Sequence, residues 1–244
     1  MDGMTKAEVA RAEGRDLAAP AKPIRPRDAA TLILIDRSGG DHRVLMGRRH
    51  AGHAFMPGKF VFPGGRTDPA DGRVATADEL QEPELEKLTT RCRTTSRRAR
   101  AIALSAIRET YEEVGLLIGR KGSFSAPAPD WNGFAEHGVL PSLAGLRFVA
   151  RAITPPRSVR RFDTRFFAAW RDEVAVELPD VATNELEEVV WLPVGQAQQT
   201  DVPLITRTVL EVLEARLAAD PNLQPGGTVP FFRMVGSHFR RDML

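Results

Sequence analysis

The chain has 244 residues, 42% of them hydrophobic and 27% charged, with a formal net charge of +2. This composition suits one folded domain with additions rather than a disordered chain, and so balanced a charge offers no electrostatic argument for a nucleic-acid partner. A single cysteine, Cys92, excludes an internal disulfide and a multi-cysteine metal site; with no secretory signal and no apolar run of about 18 to 20 residues, a cytoplasmic protein without membrane association is expected.

Residues 1–28 are polar and alanine-rich and end in Pro20, Pro23 and Pro26, which predicts a mobile N-terminal tail ahead of a single domain over 29–244. Thr31–Ile35 and Val44–Gly47 read as paired strands across the turn residues 36–41. Phe60-Val61-Phe62 is a third strand, stopped by Pro63-Gly64-Gly65. Between Arg97 and Val114 the apolar positions Ile102, Ala103, Ala106, Ile107, Thr110 and Val114 recur at helical spacing, and Gly115 is placed to end that helix in the left-handed conformation. Residues 118–145 show no clear periodicity. Strands are expected at 146–153, 162–170 and 189–192, and an amphipathic C-terminal helix at 203–219.

The stretch Arg108-Glu109-Thr110-Tyr111-Glu112-Glu113-Val114-Gly115-Leu116 concentrates the chemistry. On a helix Glu109, Glu112 and Glu113 crowd onto one arc, an arrangement that needs a positive charge among them. Arg108 lies four residues before Glu112 and can brace it. Clustered carboxylate oxygens suit a hard divalent cation, Mg²⁺ or Mn²⁺. Read alone, such a run is most simply a solvated surface.

With Gly64-Gly65 ahead of it, the helix resembles the Nudix box of hydrolases that act on nucleoside-diphosphate-linked compounds. The family's acidic position falls on Asp71, a shorter carboxylate than the usual glutamate, and Thr110 stands where an aliphatic residue is typical. The segment joining Asp71 to Arg108, short in the family, is stretched here to about 36 residues. That insertion, over 72–96 and expected near the pocket, resembles the branch of coenzyme A and acyl-coenzyme A diphosphatases. The runs 45–49, 60–66 and Arg160-Arg161-Phe162-Asp163-Thr164 are similar to stretches of the same branch.

The resemblance implies an α/β fold, a mixed, mostly antiparallel sheet sandwiched between helices, and a diphosphatase with a small-molecule substrate. Glu109, Glu112 and Glu113 are the implied metal ligands; Arg108, Glu109 and Glu112 are the catalytic candidates, Arg108 by orienting the carboxylates. Asp71 either joins the ligands or holds the loop. The general base is Glu109 or one of Glu185, Glu187 and Glu188. Gly64 and Gly65 give close backbone approach to the ligand or simply make the turn. Arg48, Arg49, Arg66 and Arg161, with Arg160, are candidates for contact with substrate phosphates, coenzyme A carrying a 3′-phosphate besides its diphosphate. The arginines from Arg91 to Arg100 either cap the site or start a solvated helix, and Asp163 suits a structural ion pair. His50 and His53 lie near the expected pocket without the spacing of a zinc site. A hydrolase of another nucleoside diphosphate derivative, such as a nucleotide sugar, a dinucleotide or a capped RNA end, and a nucleotide-binding regulator of the same fold are the alternatives.

Overall fold

A computed structural model describes residues 1–13, 24–50, 52, 57–92, 94–123, 125–158, 160–178 and 185–244. Its helices are α1 (Lys6–Ala12), α2 (Glu82–Glu86), α3 (Ser96–Val114), α4 (Asn132–Glu136), α5 (Val194–Gln199) and α6 (Leu204–Ala219). Its strands are β1 (Arg27–Asp36), β2 (Arg43–Arg49), β3 (Phe60–Val61), β4 (Gly64–Arg66), β5 (Leu116–Lys121), β6 (Val139–Pro141), β7 (Arg147–Ile153), β8 (Phe162–Trp170), β9 (Val174–Glu177), β10 (Leu186–Pro193), β11 (Pro230–Val235) and β12 (His238–Met243).

Among the described residues nine strands form one mixed sheet in the order β10-β2-β1-β8-β7-β11-β12, with β3 beside β2 and β4 beside β1. β1 runs parallel to β8 and β11 to β7; the other pairs are antiparallel. A second sheet, β6-β5-β9, lies apart. This is the mixed sheet between helices expected from the sequence. No helix is long and apolar enough to cross a membrane among the described residues.

Alternation along β1 divides the core. Ala30, Leu32 and Leu34 pack with Ile102, Ala103, Ala106 and Ile107 of α3, whereas Ile33 and Ile35 pack with Val209, Leu210 and Leu213 of α6. Each strand residue thus faces one helix layer or the other. β4 lies antiparallel on β1, with Gly65 opposite Ala30 and Gly64 opposite Thr31, which brings the glycine turn beneath the C-terminal half of α3.

The first residues are not a free tail. Thr5 and Glu8 make a reciprocal capping box that starts α1, and Gly3 and Met4 exchange backbone hydrogen bonds with Phe239 of β12. Glu13 accepts the backbone N–H of Leu204 at the start of α6. Pro20 and Pro23 lie outside the described residues.

The insertion begins directly after Asp71 and packs into the core. Val74, Leu80 and Leu88 enter the α3 side of the core. Asp78 accepts hydrogen bonds from Ser142, Leu143 and Ala144, and the fully buried Glu84 accepts the N–H groups of Phe148 and Gly226. Arg100 binds Glu79 and the carbonyls of Gly72 and Val74. These contacts run along the N-terminal half of α3, with Arg100 about 18 Å from Glu112 at 1.5 Å per residue.

Candidate active site

Thr95 caps the start of α3 by accepting the N–H of Arg98, and Gly115, at φ 70°, closes its end with a hydrogen bond to Tyr111. The buried stripe through Ile102, Ala106 and Thr110 fixes the rotation of the helix. Arg108, Glu109, Glu112 and Glu113 are thereby turned toward β4 and the Asp71 turn.

Arg108 is the hub. All five N–H groups of its buried guanidinium are used: Nε donates to Asp71 Oδ1 at 3.1 Å and Nη2 to Asp71 Oδ2 at 3.3 Å and to the carbonyl of Arg66 at 3.0 Å. Nη1 donates to Glu109 Oε1 at 2.9 Å and Glu112 Oε2 at 2.8 Å. Burial works against its charge, and Glu109, Asp71 and Glu112 outweigh burial, so its pKa is raised.

Of the two readings of Asp71, the geometry favours the one in which it holds the loop. Its side chain is buried, and beyond Arg108 it accepts Trp131 Nε1 at 3.1 Å and the backbone N–H of Asp68 at 3.0 Å. Each oxygen therefore takes two donors and has no lone pair left for an ion.

The glutamates are less satisfied. Glu113 accepts the N–H of Gly64 through Oε2 at 3.1 Å, while its Oε1 is buried without a partner. Burial, reinforced by the charges of Glu109 and Glu185 and opposed by Arg49, pushes the Glu113 carboxyl well above the usual range. Burial, with Arg108 opposing and Glu112 adding to it, pushes Glu109 up to about 7. Glu112 is raised for the same first reason, again against Arg108. A Cβ on Gly65 would collide with the Glu109 carboxylate, and one on Gly64 with the backbone of Ala30 and Thr31. Both glycines thus let the turn pack closely against the chain's own atoms, Gly65 against the Glu109 carboxylate and Gly64 against β1.

The other candidates disperse. Arg49 is electrostatically coupled to Glu113, whereas Arg48 pairs with Glu188 at 3.2 Å and lies 3.9 Å from Glu187. His50 Nε2 is 3.4 Å from Glu187; His53 and Arg93 fall outside the described residues. Arg161 donates to the carbonyls of Thr154 and Ile24, bracing a loop, and Arg66 leaves its side chain exposed. Arg98 reaches Asp28 and Arg100 reaches Glu79, so neither caps the acids. Asp163 does form structural ion pairs, with Arg151 at 2.7 Å and Arg165 at 3.3 Å, neither being its sequence neighbour. Cys92 is buried, and burial raises its pKa. Trp131 and Phe134 are the aromatic residues that the sequence marks as possible anchors of the aperiodic stretch 118–145, and both are buried; the bond from Trp131 to Asp71 is what the sequence does not reveal.

No three His, Cys, Asp or Glu side chains among the described residues form a ready-made ion cage. The donor set nevertheless fits a divalent cation. An orphaned carboxylate oxygen on Glu113 and three glutamates whose ionisation is resisted by burial mark missing positive charge.

No protein-family model and no curated protein matches the chain. Solved structures do. A Nudix hydrolase from Alicyclobacillus acidocaldarius shares 29% identity over 81% of this chain and 93% of its own, with a TM-score of 0.61. The Nudix domain of Shewanella oneidensis NrtR, solved with ADP ribose, shares 13% over 88% and 99%, TM-score 0.47. An Ap4A hydrolase of C. elegans shares 15% over 79% and 98%, TM-score 0.43.

Proposed function

We propose, from the premise that the chain belongs to the Nudix superfamily of diphosphate-cleaving hydrolases, that it hydrolyses coenzyme A or an acyl-coenzyme A. The products are adenosine 3′,5′-bisphosphate and 4′-phosphopantetheine or its acyl form. The observation that carries the site is the unsatisfied carboxylate cluster Glu109, Glu112 and Glu113 beside the Gly64-Gly65 turn. The substrate choice rests on the insertion between Asp71 and Arg108, the downstream Arg160-Arg161-Phe162-Asp163-Thr164 run and the arginines near the turn.

Glu109, Glu112 and Glu113 would hold Mg²⁺ or Mn²⁺, which when bound neutralises phosphate oxygens and acidifies water. Everything else is done by the chain. Arg108, locked on Asp71, splits one nitrogen between Glu109 and Glu112 and so fixes both carboxylates before any ligand arrives. Gly65, having no Cβ, lets the Glu109 carboxylate lie directly against the turn. Glu185 is the acid that takes the proton of the attacking water: its charge bears on both Glu109 and Glu113, while Glu187 and Glu188 face His50 and Arg48. Water attack at phosphorus opens the P–O–P bridge and leaves a phosphate on each product.

The test is incubation with Mn²⁺ and a panel of coenzyme A, acyl-coenzyme A, nucleotide sugars and dinucleoside polyphosphates, with products identified by mass. Release of the bisphosphate and the phosphopantetheine, lost in Glu185→Gln, is the expected result. Cleavage of the other compounds with coenzyme A untouched would overturn the substrate.

A further inference from the structure

Asp71 fixes the guanidinium that orients the acids, and among the described residues two further donors fix Asp71. The backbone N–H of Asp68, in the same turn, holds Oδ2, and the indole N–H of Trp131 holds Oδ1 from a point 60 residues along the chain. One donor on each oxygen sets the plane of the carboxylate. The fork of Arg108, with Nε on Oδ1 and Nη2 on Oδ2, meets both oxygens by lying in that plane. Its Nη1 then falls between Glu109 and Glu112.

The segment that carries Trp131 is anchored independently of the turn. Trp131 and Phe134 are fully buried side by side, with ring centroids 5.0 Å apart, and Phe134 meets Tyr111 edge-on at 5.5 Å. The Tyr111 hydroxyl lies so close to Gly133 that a Cβ there would strike it, and Tyr111 precedes Glu112 on α3. The contacts close a ring. From α3 they pass through Tyr111 to Phe134 and Trp131, through the indole N–H to Asp71, and through Arg108 back to the carboxylates of the same helix. No member of such a ring turns without moving the others. A buried indole N–H needs an acceptor, and any backbone carbonyl would serve; here it takes the carboxylate on which Arg108 rests.

We infer that Trp131 is a positioning residue of the acid site: its N–H holds Asp71, and through Asp71 and Arg108 it holds Glu109 and Glu112 in the arrangement that receives the divalent cation. The inference rests on the reading of the acid cluster as a diphosphatase metal site. Partners that stand behind metal ligands act through the ligands' orientation, and losing one costs about tenfold or more in metal affinity or activity.

The test replaces the indole N–H by sulfur, with benzothienylalanine put at position 131 of the full chain by nonsense suppression. The ring keeps its shape and packing and loses the donor. Titration calorimetry with Mn²⁺ should give a dissociation constant raised about tenfold. In saturating Mn²⁺, kcat on the diphosphate that the wild type cleaves should fall by a similar factor with KM unchanged. In an Asp71→Asn background the same replacement should shift the Mn²⁺ constant by less than about twofold, since the path from Trp131 runs through that carboxylate. At Trp170, which packs on the α6 side, it should leave affinity and kcat as they are. Calorimetry needs no turnover, so a chain that binds Mn²⁺ yet cleaves no diphosphate would sink the diphosphatase reading while the Mn²⁺ constants still judge Trp131. A folded sulfur variant at position 131 with wild-type Mn²⁺ affinity, or a loss undiminished in the Asp71→Asn background, would overturn the inference.

Discussion

Replacing Asp71 by Asn tests whether this carboxylate is the anchor of the catalytic helix. The substitution keeps the shape and removes the charge. In the native protein four donors converge on Asp71, two from Arg108, one from Trp131 and one from the backbone of Asp68, and both partners of the ion pair are nearly solvent-free, with side-chain exposures of 7% and 2%. Asparagine places an N–H₂ group against at least one of those donors and leaves the guanidinium short of a counter-charge. Breaking one side of a buried pair costs about 3 to 5 kcal/mol, and for a chain of this size each kcal/mol moves the midpoint by about 2 to 4 °C. Circular dichroism melts should show a fall of about 10 °C. Turnover should also drop, because Arg108 loses the fixed point from which it positions Glu109 and Glu112. A melting temperature within about 2 °C of wild type would refute the assignment of Asp71 as the anchor.

Further outcomes follow from the same geometry. Glu109 is pushed from an ordinary 4.5 to about 7, so the folded state holds the proton more tightly than the unfolded chain. The stability this contributes is complete below about pH 4.5 and is lost as pH rises through 7, a fall of about 3 kcal/mol at about 1.4 kcal/mol per pH unit. Urea midpoints measured in chelator across pH 5 to 8 should show that slope, and Glu109→Gln should flatten it. Gly65→Ala should displace the Glu109 carboxylate, which a Cβ would strike, and lower kcat by about 100-fold with the circular dichroism spectrum intact. Glu84→Ala leaves the N–H groups of Phe148 and Gly226 unpaired and should cost about 3 kcal/mol in urea denaturation; since neither partner belongs to the acid cluster, kcat should hold.

How legible the molecule was depends on the range of the forces involved. α3, α6 and β8 announce themselves through long apolar periodicities, and Gly115 takes the left-handed conformation expected of it. α1 was readable from Thr5 and Glu8, yet its polar, alanine-rich setting masked a capping box as a tail. β5 and β6 pair in a separate small sheet, and their short runs carry no alternation of their own. β11 and β12 close the far edge of the main sheet, and nothing in the run of arginines 233, 240 and 241 predicts pairing. The insertion lies where Asp78 and Glu84 meet backbone more than sixty residues away, which spacing does not encode. At the site, the helix supplied its own geometry, so the glutamate arc and the Arg108 brace were visible in advance. The filling of Asp71 by Trp131, from a distant segment, was not.

The most direct test is the rate of diphosphate hydrolysis by purified wild type and Glu112→Gln in saturating Mn²⁺, with fold verified by circular dichroism. Glu112 is the most exposed of the carboxylates that Arg108 contacts, at 34% of its side-chain surface, so its amide variant should fold normally. The wild type should release two phosphorylated products from coenzyme A, and the variant should fall by at least about 100-fold. A folded variant that hydrolyses as fast as wild type, or a wild type inert toward every diphosphate offered, would contradict the account.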